Sequence, residues 1–140
     1  MLVTLYYIKI RDGMYIELLK EMFNEMVIKK DVSVVPKYFH LEFLLYAHGQ
    51  VWNYQDHVSK HQKIYKTAIQ YAIRYQDETF VEQGDILAGR IFITLSWPNE
   101  ANKELELILI VKYKDNKIYR IWELTYPDWT QMETFKKVKD

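Results

Sequence analysis

The chain contains no cysteine. That excludes disulfide frameworks, thiolate nucleophiles and zinc–cysteine centres, and it suits a reducing compartment. Glycine is scarce, and Gly13, Gly49, Gly84 and Gly89 stand isolated, so no phosphate-cradling loop exists. Ser33, Ser59 and Ser96 lack the setting of a nucleophile elbow. Net charge is missing too: 19 Lys plus Arg balance 19 Asp plus Glu. Nothing therefore draws the chain to nucleic acid or an anionic membrane, and nothing opposes self-association. No apolar run is long enough to span a bilayer, and residues 2–10 lack the positive start and cleavage site of a signal peptide. The expectation is a soluble, cytoplasmic protein with no nucleic-acid or membrane partner.

Aromatic residues are abundant: twelve Tyr, six Phe and four Trp in 140 residues. Tyr and Trp join a polar handle to an apolar body, which suits cavity walls and subunit interfaces as well as sheet cores. The length corresponds to one domain. We divide the chain into a leader at residues 1–13, a single domain at 14–130 and a C-terminal tail at 131–140. Met14 is an alternative initiator, because helical periodicity begins directly after it.

Tyr15, Leu18, Leu19, Met22, Phe23 and Met26 recur at spacings of three and four and predict a first helix. Asp31 or Ser33 opens a short second helix through Phe39, with Pro36 in its first turn. Phe43 to Ala47 reads as a strand, His48-Gly49 as a turn, and Val51-Trp52 as the return. Asn53 and Asp56 start a third helix whose apolar stripe is Tyr54, Val58, His61 and Tyr65. Four strands follow as an antiparallel meander: Ile69 onward, Ile86 to Trp97, Glu104 to Tyr113, and Ile118 to Tyr126. The order predicts an α+β fold, with three N-terminal helices packed on a curved, mostly antiparallel sheet. Gly84 and Gly89 are candidate bending points.

The last strand carries the functional signal. Alternation puts Tyr119, Ile121, Glu123 and Thr125 on one face, and Ile118, Arg120, Trp122, Leu124 and Tyr126 on the other. Both faces are rich in large apolar groups, so both are expected to be covered. Glu123 thus lies within a largely apolar row, where a carboxylate must be protonated, paired or face a cavity. Three readings stay open: an acid/base group with a raised pKa, a structural carboxylate bonded to a neighbour, or a surface residue if the register slips by one.

All four histidines fall between residues 40 and 61. His57 and His61 are four apart on the third helix, but no Glu follows His57, so the zinc-binding HExxH pattern is absent and no metal is expected. His61 lies on the apolar stripe, as a cavity residue or a satisfied core histidine. His48 sits at a turn, and His40 at a helix end. Trp52, Tyr46, Tyr71, Trp97 and Tyr119 are either cavity wall or core. As a wall they suit a flat aromatic or polycyclic ligand.

Two segments carry a resemblance to a known family. His40-Leu41-Glu42-Phe43 resembles a His-Pro-Asp-aromatic segment, with Leu41 where proline is usual. Lys117-Ile118-Tyr119-Arg120-Ile121-Trp122-Glu123 resembles a closing strand that ends in Trp and an acidic residue. With the helix before KKDVSVVPKYFH, they resemble the nuclear-transport-factor-2-like superfamily and, within it, the SnoaL-like, polyketide-cyclase-like branch. The resemblance spans Tyr15 to Trp129. It implies a conical hydrophobic pocket, a homodimer formed through the outer face of the sheet, and a hydrophobic small molecule as partner. It further implies cofactor-free acid/base chemistry of the cyclase or isomerase kind on a cyclic or polyketide-like carbonyl compound, or a non-catalytic binding or assembly module of the same fold. The acid/base residue of the cyclases is matched by Glu123, aided by Tyr46, His61 or His48. Trp52, Tyr71, Trp97, Tyr119 and Leu109 are the ligand-binding candidates. The ketosteroid-isomerase machinery is not matched: its positions fall at Ala47, near Leu109, and at Met22 or Phe23.

Overall fold

A computed structural model describes residues 13–136; the leader lies almost wholly outside the described residues. Helix α1 (Met14–Met22) runs into a wider π-helical segment, Phe23–Ile28. Its first turn has no side-chain cap of its own. Glu82 supplies one from the sheet: its carboxylate accepts the backbone N–H of Gly13 at 3.1 Å and of Ile16 at 2.7 Å. A carboxylate there satisfies orphan donors and complements the positive end of the helix dipole. Tyr15 stacks on Tyr113 at 4.2 Å, and the Tyr113 hydroxyl donates to the Tyr15 carbonyl.

Asp31, rather than Ser33, caps the next turn, accepting the Ser33 N–H at 2.9 Å. A 3₁₀ turn at Val32–Val34 leads into α2 (Val35–Tyr38), with Pro36 in its first turn. This helix is shorter than expected because strand β1 (Phe39–Ala47) begins four residues early. Strand β2 (Gln50–Asn53) returns through His48 and Gly49, both at positive φ, as a tight two-residue hairpin requires. Helix α3 (Tyr54–Tyr65) opens on a full capping box between Asn53 and Asp56. The long strands β3 (Gln70–Gln83), β4 (Ile86–Ser96), β5 (Lys103–Lys114) and β6 (Lys117–Tyr126) complete the sheet.

The six strands form one sheet in the order β2-β1-β6-β5-β4-β3. Every pairing is antiparallel except β1 with β6. The first strand thus slots in beside the last, and the helices cover a single face. Register breaks between Gln76 and Val81 on β3, and the Thr79 hydroxyl of the bulged segment accepts the Arg90 N–H at 2.9 Å. This is one source of curvature. Another bulge lies where β6 leaves its turn: Tyr113 faces Ile118 and Lys112 faces Arg120, so Tyr119 is the extra residue. Alternation is reset there, and Ile118 is buried while Tyr119 is not.

Side chains of β4, β5 and β6 that point toward the helices form the core with Leu19, Met22, Met26 and Ile64. The chain after β6 belongs to this core as well. Trp129, Thr130 and Met132 are buried, as is Phe135 of α4 (Glu133–Lys136). A boundary at 130 therefore cuts through packed structure. The opposite face of the sheet departs from expectation, because none of the described residues covers it. Ile108, Ile110, Trp122, Leu124 and Tyr126 are all exposed. Among the described residues no helix is long and apolar enough to cross a membrane.

Candidate functional site

Between the helices and the concave face of the sheet lies a cavity of about 150 Å³. Its walls are overwhelmingly apolar: leucines and isoleucines of the central strands, Leu19, Met22 and Met26 of the first helical segment, and Phe135 at the end of the fold. The ionisable side chains in that lining are Glu123, His57, His61, Tyr65 and Tyr71. Glu123 reaches it because Ile121, Glu123 and Thr125 keep strict alternation beyond the bulge on β6.

Among the described residues Glu123 has one hydrogen bond, from the indole Nε1–H of Trp129 at 3.2 Å. Burial penalises the ionised carboxylate and pushes its pKa up to about 7, against a smaller opposing pull from that indole. Trp129 is placed by a network at the chain reversal after β6. Its backbone N–H donates to the Thr125 hydroxyl at 3.1 Å. The backbone N–H of Thr125 donates to Nε2 of His48 at 3.0 Å. An atom that accepts from an N–H carries no proton, so the His48 proton sits on Nδ1, 3.6 Å from the Asp128 carboxylate. His48 does not line the inner cavity; it holds the segment that carries Trp129.

On α3, His57 is 7% exposed and packs against Phe39, Phe43 and His61, with ring centroids 4.3–5.0 Å away. Neither of its nitrogens has a hydrogen-bond partner among the described residues, and nor does the buried hydroxyl of Tyr65. Nδ1 of His61 lies 2.7 Å from the carbonyl oxygen of His57, so it is the protonated nitrogen. Burial disfavours both imidazoliums: His57 is held well below the usual histidine range, with His61 adding to the effect, and His61 is lowered to about 4. Burial likewise pushes the Tyr65 and Tyr71 phenols upward. At neutral pH the site holds two uncharged imidazoles and a carboxyl group poised between its two states. Among the described residues, no three His, Cys, Asp or Glu side chains converge as metal ligands would.

Of the residues singled out from sequence, Glu123, His61, Trp52, Tyr71 and Leu109 meet at this cavity. Four do not. Tyr46 projects from the outer face, stacked on Trp122 at 6.1 Å, because neighbouring Leu45 and Ala47 take the inward positions. Tyr119 is expelled by the bulge and sits beneath Arg120 and Lys114, with His40 at its edge. Trp97 packs against the core margin, outside the cavity lining. His48 acts at a distance, as described. The sequence reading missed His57 as a cavity residue, and with it Tyr65, Thr125, Trp129 and Phe135. His57 was within reach, since it lies three residues after Tyr54 and four before His61 on one helical face.

No protein-family profile and no curated protein sequence matches the chain. Solved structures do. An LEH-like epoxide hydrolase of M. tuberculosis aligns with a TM-score of 0.69 at 8% identity, covering 91% of this chain and 92% of the other. IdmH of Streptomyces antibioticus, described as a candidate polyketide cyclase, aligns at 0.64 and 11% identity, over 80% and 91%. A de novo designed protein with a curved β-sheet aligns at 0.61 and 17%, over 87% and 94%. Such identities speak to architecture alone. By its helices, its strand order and its curved mixed sheet, the chain has the nuclear-transport-factor-2-like cone fold shared by polyketide-cyclase-like proteins and LEH-like epoxide hydrolases.

Proposed function

We propose that the cavity binds a small, hydrophobic, single-ring compound and that Glu123 transfers a proton on it. Size supports the first part. A void of about 150 Å³ is on the scale that accepts a benzene-sized guest, so a fused polycyclic ligand is too large for it as it stands. The second part rests on one observation: a carboxyl group with a pKa near 7, lining an apolar cavity and held by a single indole N–H. Such a group donates a proton to a developing alkoxide, as in epoxide opening, or accepts one from a carbon beside a carbonyl, as in cyclisation. Both chemistries occur in the names of its structural neighbours, and neither requires a cofactor. A panel of cyclic ketones and monocyclic epoxides assayed with Glu123→Gln is the test. The expected result is a fall of about 10²–10⁴-fold in turnover of any active compound, with binding retained. Unchanged turnover would remove Glu123 from the reaction.

A second reading, assembly, is favoured by the outer face of the sheet. Ile108, Ile110, Trp122, Leu124 and Tyr126 form a contiguous apolar surface, with Leu124 64% exposed. Surfaces of that kind in soluble proteins mark interaction sites, and a sheet face paired about a two-fold axis suits a homodimer. Sedimentation equilibrium is expected to give twice the chain mass for the wild type and the single-chain mass for Leu124→Lys. A monomeric wild type at high protein concentration argues against it.

A further inference from the structure

Glu123 is one polar pole of the cavity, and α3 supplies another. His57 is deeply buried, lines the cavity, and has no partner for either ring nitrogen among the described residues. Tyr65, two turns further along the helix, contributes a buried hydroxyl without a partner. His61 lies between them and spends its only proton on the His57 carbonyl, which leaves Nε2 as a bare acceptor. A buried polar group left without a partner is costly, so the two His57 nitrogens and the Tyr65 hydroxyl beside one void call for an occupant.

The inventory of donors and acceptors says what kind. His61 Nε2 accepts. Neutral His57 offers one acceptor and one donor. Tyr65 offers an O–H that does either. Among the described residues no Lys or Arg lines the cavity, so an anionic carboxylate or phosphate would find no counter-charge there. A ketone oxygen would use the donors and leave His61 Nε2 unsatisfied. A hydroxyl group uses both kinds at once, donating to an imidazole nitrogen and accepting from His57 N–H or Tyr65 O–H.

We infer that the α3 end of the cavity anchors a neutral hydroxyl, so that the ligand is a single-ring alcohol or phenol whose opposite side meets Glu123. This rests on the cavity being a ligand site, as proposed above, and names the class of compound it selects.

The test uses two probes of matched size, phenol and toluene, titrated into the full chain by calorimetry at pH 7. The quantity read is the ratio of their dissociation constants, compared between variants. Tyr65→Phe deletes one oxygen and leaves packing intact, and His61→Phe replaces the imidazole with an apolar ring. Each is expected to reduce the preference for phenol by about tenfold, the loss of one hydrogen bond to a buried partner. Glu123→Gln is expected to leave the ratio unchanged. If Tyr65→Phe and His61→Phe both keep the wild-type ratio, water alone serves these groups and the inference is overturned, while the cavity remains a ligand site. If the ratio falls only in Glu123→Gln, the hydroxyl belongs at the other pole and the assignment is equally overturned. If neither probe binds, this inference and the ligand-binding reading fall together. Loss of the catalytic role alone would show separately, as turnover indifferent to Glu123→Gln.

Discussion

The indole of Trp129 and the carboxyl of Glu123 are joined by one 3.2 Å hydrogen bond, made by a residue that lies beyond the last strand. The turn that brings Trp129 back is held by His48, which accepts the Thr125 N–H while its protonated nitrogen faces Asp128. A histidine in the left-handed region of the β1–β2 hairpin thereby fixes the partner of a carboxyl group it does not touch.

Trp129→Phe follows directly. The indole N–H favours ionised Glu123, so its loss moves the Glu123 pKa further above 7. About one pKa unit is expected for a hydrogen bond to a charged group. Carbon-13 detection of the labelled glutamate carboxyl reads it directly. A titration midpoint that stays put or falls would show that the bond does not form in solution.

Stability should carry opposing pH dependences. Folded Glu123 holds its proton up to about pH 7, whereas the unfolded group releases it near 4.5. Between those values the native state binds more protons, so stability falls as pH rises. Folded His61 stays neutral down to about pH 4, whereas the unfolded group protonates near 6.5. There the unfolded state binds more protons, so stability rises with pH, and buried His57 acts in the same direction. Each of the two displacements corresponds to an upper limit of about 3 kcal/mol, and they offset one another between pH 4.5 and 6.5. Glu123→Gln should expose the histidine slope. Its melting temperature is expected to climb more steeply than that of the wild type from pH 4.5 to 6.5, and to exceed it by several degrees at pH 8. Parallel curves for the two proteins would show that Glu123 titrates normally.

These expectations separate what was legible in the sequence from what was not. Glu123 was legible because period-two alternation on β6 survives beyond the bulge. Tyr119 was misread because one inserted residue reverses every position before it, and a bulge leaves no mark in hydrophobic pattern. Tyr46 failed for a related reason: its aromatic character suits either face of a strand, and β1 lies next to β6 only through long-range parallel pairing. The α3 stripe was found through Tyr54, Val58, His61 and Tyr65, yet His57, which flanks that row, was read only as half of a metal spacing. Trp129 was missed because strand periodicity stops before it, and Phe135 because it lies in the stretch read as a tail. The fold continues there through single buried side chains rather than through a repeating pattern.

Sheet curvature also rests on one pair of residues. Gly89 on β4 lies against the ring of Phe80, which belongs to the bulged part of β3, and any Cβ at position 89 would overlap that ring. Glycine is used here for close approach rather than for unusual backbone angles. Gly89→Ala must displace the ring or flatten the bulge, and overpacking of this kind costs roughly 1–3 kcal/mol. Phe80→Ala alone should cost less than burial of a full core phenylalanine, because the ring is only half-buried. In the double variant the clash has no partner, so its destabilisation should be smaller than the sum of the two single variants by about 1 kcal/mol or more. Urea unfolding of all four proteins measures the coupling. Strict additivity would mean that the ring moves aside freely and that this contact does not shape the bend.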